Sequence, residues 1–212
     1  MSKYNYCFNG TTPIIYRESP DSEIIIESIK SAYDKCADKT VYVCVHEFDE
    51  NEHTSKISWQ KATFCHTISI QQVTIFMEPE EIGGLLESDN IIRVTPNHIF
   101  PILTKNGYKN VEAYLLQTGD KIISERCRKY VENVDSEPVF DEEGNPVIDW
   151  VLENNSTHYI DYRHISKVYN EDINSDSSIY GTDFYGVVLN GDSPTKYFML
   201  CNSVISHDSS ID

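Results

Sequence analysis

Arg93–Ile123 reads RVTPNHIFPILTKNGYKNVEAYLLQTGDKII, and the fold turns on how this stretch is read. It opens as a strand, with the polar residues Thr95 and His98 three apart across Pro96. Proline has no N–H and a fixed φ, so Thr95–His98 cannot be an ordinary rung in mid-sheet. A hydroxyl and an imidazole held on such a bend are well placed to reach one backbone amide. Lys105-Asn106-Gly107 reads as a turn, and Gly119-Asp120 as another before the apolar pair Ile122-Ile123. An isolated TxxH is most simply a sheet-edge turn with a solvated histidine. The two ends of the chain change that reading.

Working outward, β-branched and aromatic residues dominate, with 14 tyrosines, and predict a mostly β fold. Upstream, strands are expected over Val41–Phe48, Ile57–Ile70 and Ile91–Val94, with Asp49–His53 as a turn and Glu78–Asp89 as an acidic loop. Ser19–Cys36 opens with capping residues and could hold a short helix from about Glu27, although Ile24-Ile25-Ile26 is equally strand-like. Downstream, strands are expected over His164–Tyr169, Asp183–Leu189, Tyr197–Leu200 and Val204–Ser206. Glu132–Asp161 differs in composition: no Lys or Arg lies between Lys129 and Arg163. Residues of about 130–163 therefore read as a short acidic insertion, with a hairpin turn at 141–146, that joins two halves of one β domain.

A chain of 212 residues can bury a core as a single domain. Its 17 Lys+Arg against 34 Asp+Glu give a net charge of −17, which argues against nucleic acid and anionic membrane as partners. No apolar run approaches the ~20 residues of a membrane span, and MSKYNY has no signal-peptide core. Six cysteines without short paired spacing read as free thiols of a reducing compartment. The expectation is a cytoplasmic monomer.

At the start, Cys7 stands just before the turn Asn9-Gly10-Thr11, where a cysteine is either a small buried hydrophobe or a nucleophile. At the end, Val204-Ile205-Ser206 runs into His207, Asp208 and Ser209, which is either a polar tail or an imidazole, a carboxylate and a hydroxyl set out in order. Cys44 and His46 alternate on one strand and Cys65-His66 follow on another, but no regular ligand spacing supports zinc, and no metal is expected. His53, His158 and His164 read as solvent or loop histidines, and Cys36, Cys127 and Cys201 as buried thiols.

A cysteine near the start, TxxH in the middle and His-Asp-Ser near the end resemble an intein, a self-splicing domain of the hedgehog/intein (Hint) fold. Cys7–Thr11 is similar to the family's N-terminal block, and Val94-Thr95-Pro96-Asn97-His98 to its TxxH block. Asp183–Gly191 with Tyr197–Leu200, and Val204–Ser209, are similar to the two C-terminal blocks. The chain departs from the pattern twice. The family's last residue is normally Asn and here is Asp208, and a helping Asp or His of the penultimate block is replaced by Gly186 and Lys196.

The resemblance implies a horseshoe-like Hint fold over residues 7–208, with the flanking segments 1–6 and 209–212 as substrate and no cofactor. It implies catalytic roles for Cys7, Thr95, Asn97, His98, His207, Asp208 and Ser209. Cys7 would attack the carbonyl of Tyr6 to give a thioester, with Thr95 and His98 polarising the amide. Ser209 would take over the acyl group, and residue 208 would cyclise with help from His207. The acidic insertion is too short and too poor in basic residues for the DNA-cutting domain that larger inteins carry, so the resemblance is to a mini-intein. Two other readings stand beside it: a Hint domain that only cleaves its flanks, and an inert acidic β module in which Cys7 is structural.

Overall fold

The computed structural model describes residues 6–49, 53–78, 90–125, 128–142, 144, 147–150, 152–153, 155–173, 183–201 and 204–210. Most of the expected Glu78–Asp89 loop, part of the 141–146 turn and Cys127 lie outside them. The order begins β1 (Phe8–Asn9), β2 (Pro13–Arg17), β3 (Ile25–Ser28) and α1 (Ile29–Cys36). The Ile24–Ile26 ambiguity resolves in favour of a strand that feeds the helix. Ser28 caps α1, its side chain accepting from the N–H of Ser31.

The centre is built from β4 (Val41–Asp49), β5 (Thr54–Ile68), β6 (Gln71–Met77) and β7 (Ile91–Val94). These are followed by β8 (Ile99–Thr104), β9 (Gly107–Glu112), a 3-10 turn at Ala113–Leu115, and β10 (Lys121–Glu125). β6 was not expected, although Gln72-Val73-Thr74-Ile75 alternates; four of its residues in a row are buried, Val73 and Ile75 in the larger core cluster, and both its edges are paired. The Lys105-Asn106 turn joins β8 to β9, with Gly107 at φ 101°, a conformation open to glycine.

In the acidic segment, β11 (Arg128–Tyr130) and β12 (Ile148–Trp150) form a two-stranded ladder apart from the main sheet. The insertion ends earlier than expected, because β13 (Thr157–Asp172) starts at Thr157 and pairs with β5, β10 and β6. The sequence THYIDYR looked like surface because most of its side chains are exposed or half-buried, while its backbone is committed to the sheet. The chain closes with β14 (Asp183–Leu189), β15 (Tyr197–Met199) and β16 (Ile205–His207).

Fourteen strands form one antiparallel sheet system, in which β5, the 15-residue strand, serves β4, β14 and β13. The larger core cluster includes Phe8, Phe64, Phe100, Tyr185 and Phe198, and a second gathers round Trp59, Met199 and Ile205. Among the described residues no helix is long and apolar enough to cross a membrane.

What positions the site is one edge of β14. Tyr185, Val187 and Leu189 have the same parity, so their backbone groups point to the same side. Phe8 pairs with Tyr185, Ser209 N–H donates to the Val187 carbonyl at 2.6 Å, and Leu189 N–H donates to the Asp208 carboxylate at 3.2 Å. The first strand of the chain and its last described residues thus share one strand edge.

Candidate functional site

The TxxH bend is a β-turn. His98 N–H donates to the Thr95 carbonyl at 3.0 Å, with Pro96 at the position where its fixed φ suits the turn. The turn carries Thr95 to the end of the β1–β7 ladder, which continues past Phe8–Val94 in a modified form. Thr95 N–H donates to the Cys7 carbonyl at 2.9 Å, and Cys7 N–H donates to Thr95 Oγ1 at 3.1 Å. The threonine side chain therefore holds the Tyr6–Cys7 amide nitrogen. The sequence reading shared that nitrogen between Thr95 and His98; in the structure its hydrogen goes to Thr95.

His98 is fully buried, its ring against Phe8 and Phe100 at centroid distances of 4.3 and 4.8 Å. Nε2 lies 2.6 Å from Ser206 Oγ, and Nδ1 has no hydrogen-bond partner. Burial pushes its pKa down to about 3, helped by His207, while the backbone of Tyr6 pulls the other way. The ring is therefore neutral across the physiological range.

Cys7 is also fully buried, in a small cluster with Cys65, Phe184 and Ile173. A side-chain hydrogen bond with Cys65 and burial push its thiol up, and a contact with Ser209 partly offsets them. Nothing about its surroundings pre-forms a thiolate. The Ser209 hydroxyl donates to the Tyr6 carbonyl oxygen and accepts from Val187 N–H at 3.1 Å. Gly186 makes room for it: a Cβ there would stand 1.9 Å from Ser209 Oγ and 3.0 Å from Cys65 Sγ. The missing Asp or His of the penultimate block thus has a steric reason.

At the other junction, His207 Nδ1 is 3.0 Å from the carbonyl oxygen of Asp208 and 3.3 Å from its carboxylate. The Asp208 carboxylate is fully buried, takes the Ser210 hydroxyl at 2.8 Å, and has Lys196 Nζ at 3.9 Å. Lys196 also accepts the Asp208 N–H on its main-chain carbonyl at 2.8 Å, so the substituted position still grips the last block.

Of the seven residues singled out in the sequence, Cys7, Thr95, His98, His207, Asp208 and Ser209 converge on the two junctions. Asn97 does not: it is half-buried in the turn, and no hydrogen bond links it to the others. Three residues were given no role. Cys65 and Gly186 face each other in the β5–β14 ladder, and Ser206 lies against His98. In the sequence Cys65 stood only as part of a zinc candidate, Gly186 only as a departure from the family pattern, and Ser206 as a hydroxyl in an otherwise apolar run.

The two Cys/His pairs go separate ways. Cys44 Sγ is 3.7 Å from His46 Nε2, and His46 Nδ1 is 2.7 Å from Glu125 in a closed interior cluster. Cys65 joins Cys7, and His66 pairs with Asp183 at 2.9 Å. Among the described residues no three His, Cys, Asp or Glu side chains are grouped to hold a metal ion.

No protein-family model matches the chain, and no curated protein does. Solved structures do. The Mvu transcription factor IIB mini-intein has 13% identity and a TM-score of 0.59 over 96% of this chain and 99% of that one. A mutant of an Ssp DnaB mini-intein variant has 17% identity and a TM-score of 0.56 over 96% and 98%. The Pab PolII intein has 12% identity and a TM-score of 0.57 over 95% and 100%. The chain therefore has the intein form of the Hint fold. Its likeness to the mini-inteins runs through nearly the whole of both chains.

Proposed function

We propose that residues 7–208 form a self-splicing domain that excises itself and joins the segments on either side. The observation that carries this reading is the meeting of Ser209 with the Tyr6 carbonyl, across 203 residues of sequence and beside the Cys7 thiol. A buried structural cysteine or a frayed tail has no need of that convergence, whereas acyl transfer between two junctions requires it.

In this reading Cys7 Sγ attacks the Tyr6 carbonyl carbon, and the Cys7 nitrogen leaves as an amine, taking up a proton. Thr95 holds that nitrogen through its N–H and so fixes the plane of the amide. His98, neutral and facing the Tyr6 backbone, stabilises charge at the carbonyl and moves a proton towards the departing nitrogen. Ser209 Oγ then attacks the thioester carbon, releasing the Cys7 thiol and leaving a branched ester. At the second junction a carboxylate oxygen of Asp208 attacks its own carbonyl carbon, and His207 Nδ1 steadies the oxyanion that forms. The Ser209 nitrogen takes up a proton from water and departs as an amine, and a further water hydrolyses the anhydride of Asp208 to the acid. That amine displaces the ester oxygen to give the Tyr6–Ser209 peptide.

A second reading, cleavage without joining, is favoured by one residue. Asp208 lacks the side-chain nitrogen that would form a stable succinimide, so the thioester or ester has longer to hydrolyse. Mass spectrometry of the freshly made full chain over time separates the outcomes. A peptide joining residues 1–6 to 209–212 supports splicing, and separate flanks support cleavage alone. A chain that stays intact, and that thiols do not cleave at Tyr6–Cys7, refutes both.

A further inference from the structure

Ser206 has no role in the scheme above, yet its hydroxyl meets the His98 ring. Its side chain is fully buried on β16 behind Val204 and Ile205, and its hydroxyl has two neighbours. His98 Nε2 is at 2.6 Å and the His207 carbonyl oxygen at 3.3 Å. A neutral imidazole carries one N–H and one lone pair, and the partner of one nitrogen decides where the proton sits. Ser206 has a single proton to give: donated to the His207 carbonyl at 3.3 Å it would require Nε2–H on the ring, and donated to His98 at 2.6 Å it requires a bare Nε2; the shorter contact is the one to His98.

We infer that Ser206 is a positioning residue that fixes His98 as the Nδ1–H tautomer, so that the ring faces the first junction with a donor. The inference rests on the proposed splicing function. With the Ser206 proton on the Nε2 lone pair, the ring proton must occupy Nδ1, the nitrogen left unpartnered in this resting geometry. That is the nitrogen able to stabilise charge at Tyr6. The opposite tautomer would send Nε2–H to Ser206 and turn a bare lone pair on the junction, where it can neither donate to a carbonyl nor protonate a leaving nitrogen. The aromatic walls of Phe8 and Phe100 offer Nε2 no alternative acceptor or donor.

The test uses full-length chain with Cys7→Ala and Ser209→Ala to keep it intact, 15N-labelled at histidine, with Ser206 or Ser206→Ala. Long-range 1H–15N NMR is expected to show a protonated Nδ1 and a bare Nε2 for His98 with Ser206 present, and a mixture or reversal in Ser206→Ala. In the otherwise unaltered chain, Ser206→Ala is expected to slow thiol-induced release of residues 1–6 by about 10–100-fold, as losing an orienting partner does elsewhere. Ser206→Thr, which keeps the hydroxyl, is expected to keep the tautomer. An Nε2–H tautomer with Ser206 present, or the same tautomer with and without the hydroxyl, overturns the inference. So does an equal slowing of release at both junctions, which marks Ser206 as structural. If no variant, including the unaltered chain, releases residues 1–6, it is the splicing reading that fails, and the NMR arm still judges the tautomer.

Discussion

Gly186→Ala is the sharpest test of where the second acyl acceptor sits. An added Cβ would lie 1.9 Å from Ser209 Oγ and 2.8 Å from its Cβ, against an ordinary contact of at least 3.4 Å. Ser209 must therefore move by about 1.5 Å, because the other close neighbour, Cys65 Sγ at 3.0 Å, needs to give only a few tenths. A misplacement of 1 Å can cost about 10²-fold in an aligned transfer. Acyl transfer to Ser209 is thus expected to fall at least about 10²-fold, close to 3 kcal/mol of barrier. Thioester formation at Cys7, which does not use Ser209 as nucleophile, is expected to persist. The assay extends both flanks until branched and linear chains separate on a gel. It follows the alkali-labile branched ester in parallel with thiol-induced release at Tyr6–Cys7. The expected result is release near the unaltered rate with almost no branched species, and Gly186→Asp, the family's more usual residue, should do worse still. Branched ester at the unaltered rate in Gly186→Ala would show that Ser209 does not attack from the seat it holds in this structure.

Three further outcomes follow from the same geometry. Asp208→Asn supplies the missing nitrogen and should speed release of residues 209–212 at pH 7 by at least about 10-fold; equal rates would mean the pocket activates a carboxylate by some other route. The lowered pKa of His98 makes the fold sensitive to acid. An unfolded histidine titrates near 6.5 and the buried one near 3, so between these values the unfolded chain binds the extra proton. The contribution is whole above about pH 6.5 and falls by about 1.4 kcal/mol per unit below it, so urea midpoints should drop from pH 6.5 to 4 and drop less in His98→Phe. Lastly, Cys65→Ala removes the neighbour that most raises the Cys7 thiol. The pH profile of thiol-induced release should move to lower pH, and an unmoved profile would assign the raised thiol to burial alone.

Much of the site was legible because the chemistry names its own residue types. A proline between threonine and histidine forces a turn wherever it stands, and cysteine and His-Asp-Ser at the two boundaries are scarce enough to be noticed together. What escaped notice depends on strands that meet across long distances. Cys65 reads beside His66 as an unsupported zinc candidate until the β14 register sets it opposite Gly186. Gly186 looks like a loss until Ser209 is found in the volume it leaves empty. The start of β13 was missed for a different reason: its side chains stay exposed or half-buried, so little in its sequence marks it as a strand of the main sheet.

In the proposed splicing reaction, the shared edge of β14 also governs when the chemistry can begin. Cys7 emerges from the ribosome first, but the strand that seats it, the glycine beside its thiol pocket and the hydroxyl that receives its acyl group are all made last. While the chain is growing, Tyr6–Cys7 has neither β14 beside it nor the Ser209 hydroxyl at its carbonyl. On the proposed reading, the acyl group of the first junction therefore has neither its seat on β14 nor its acceptor until the second junction has been translated.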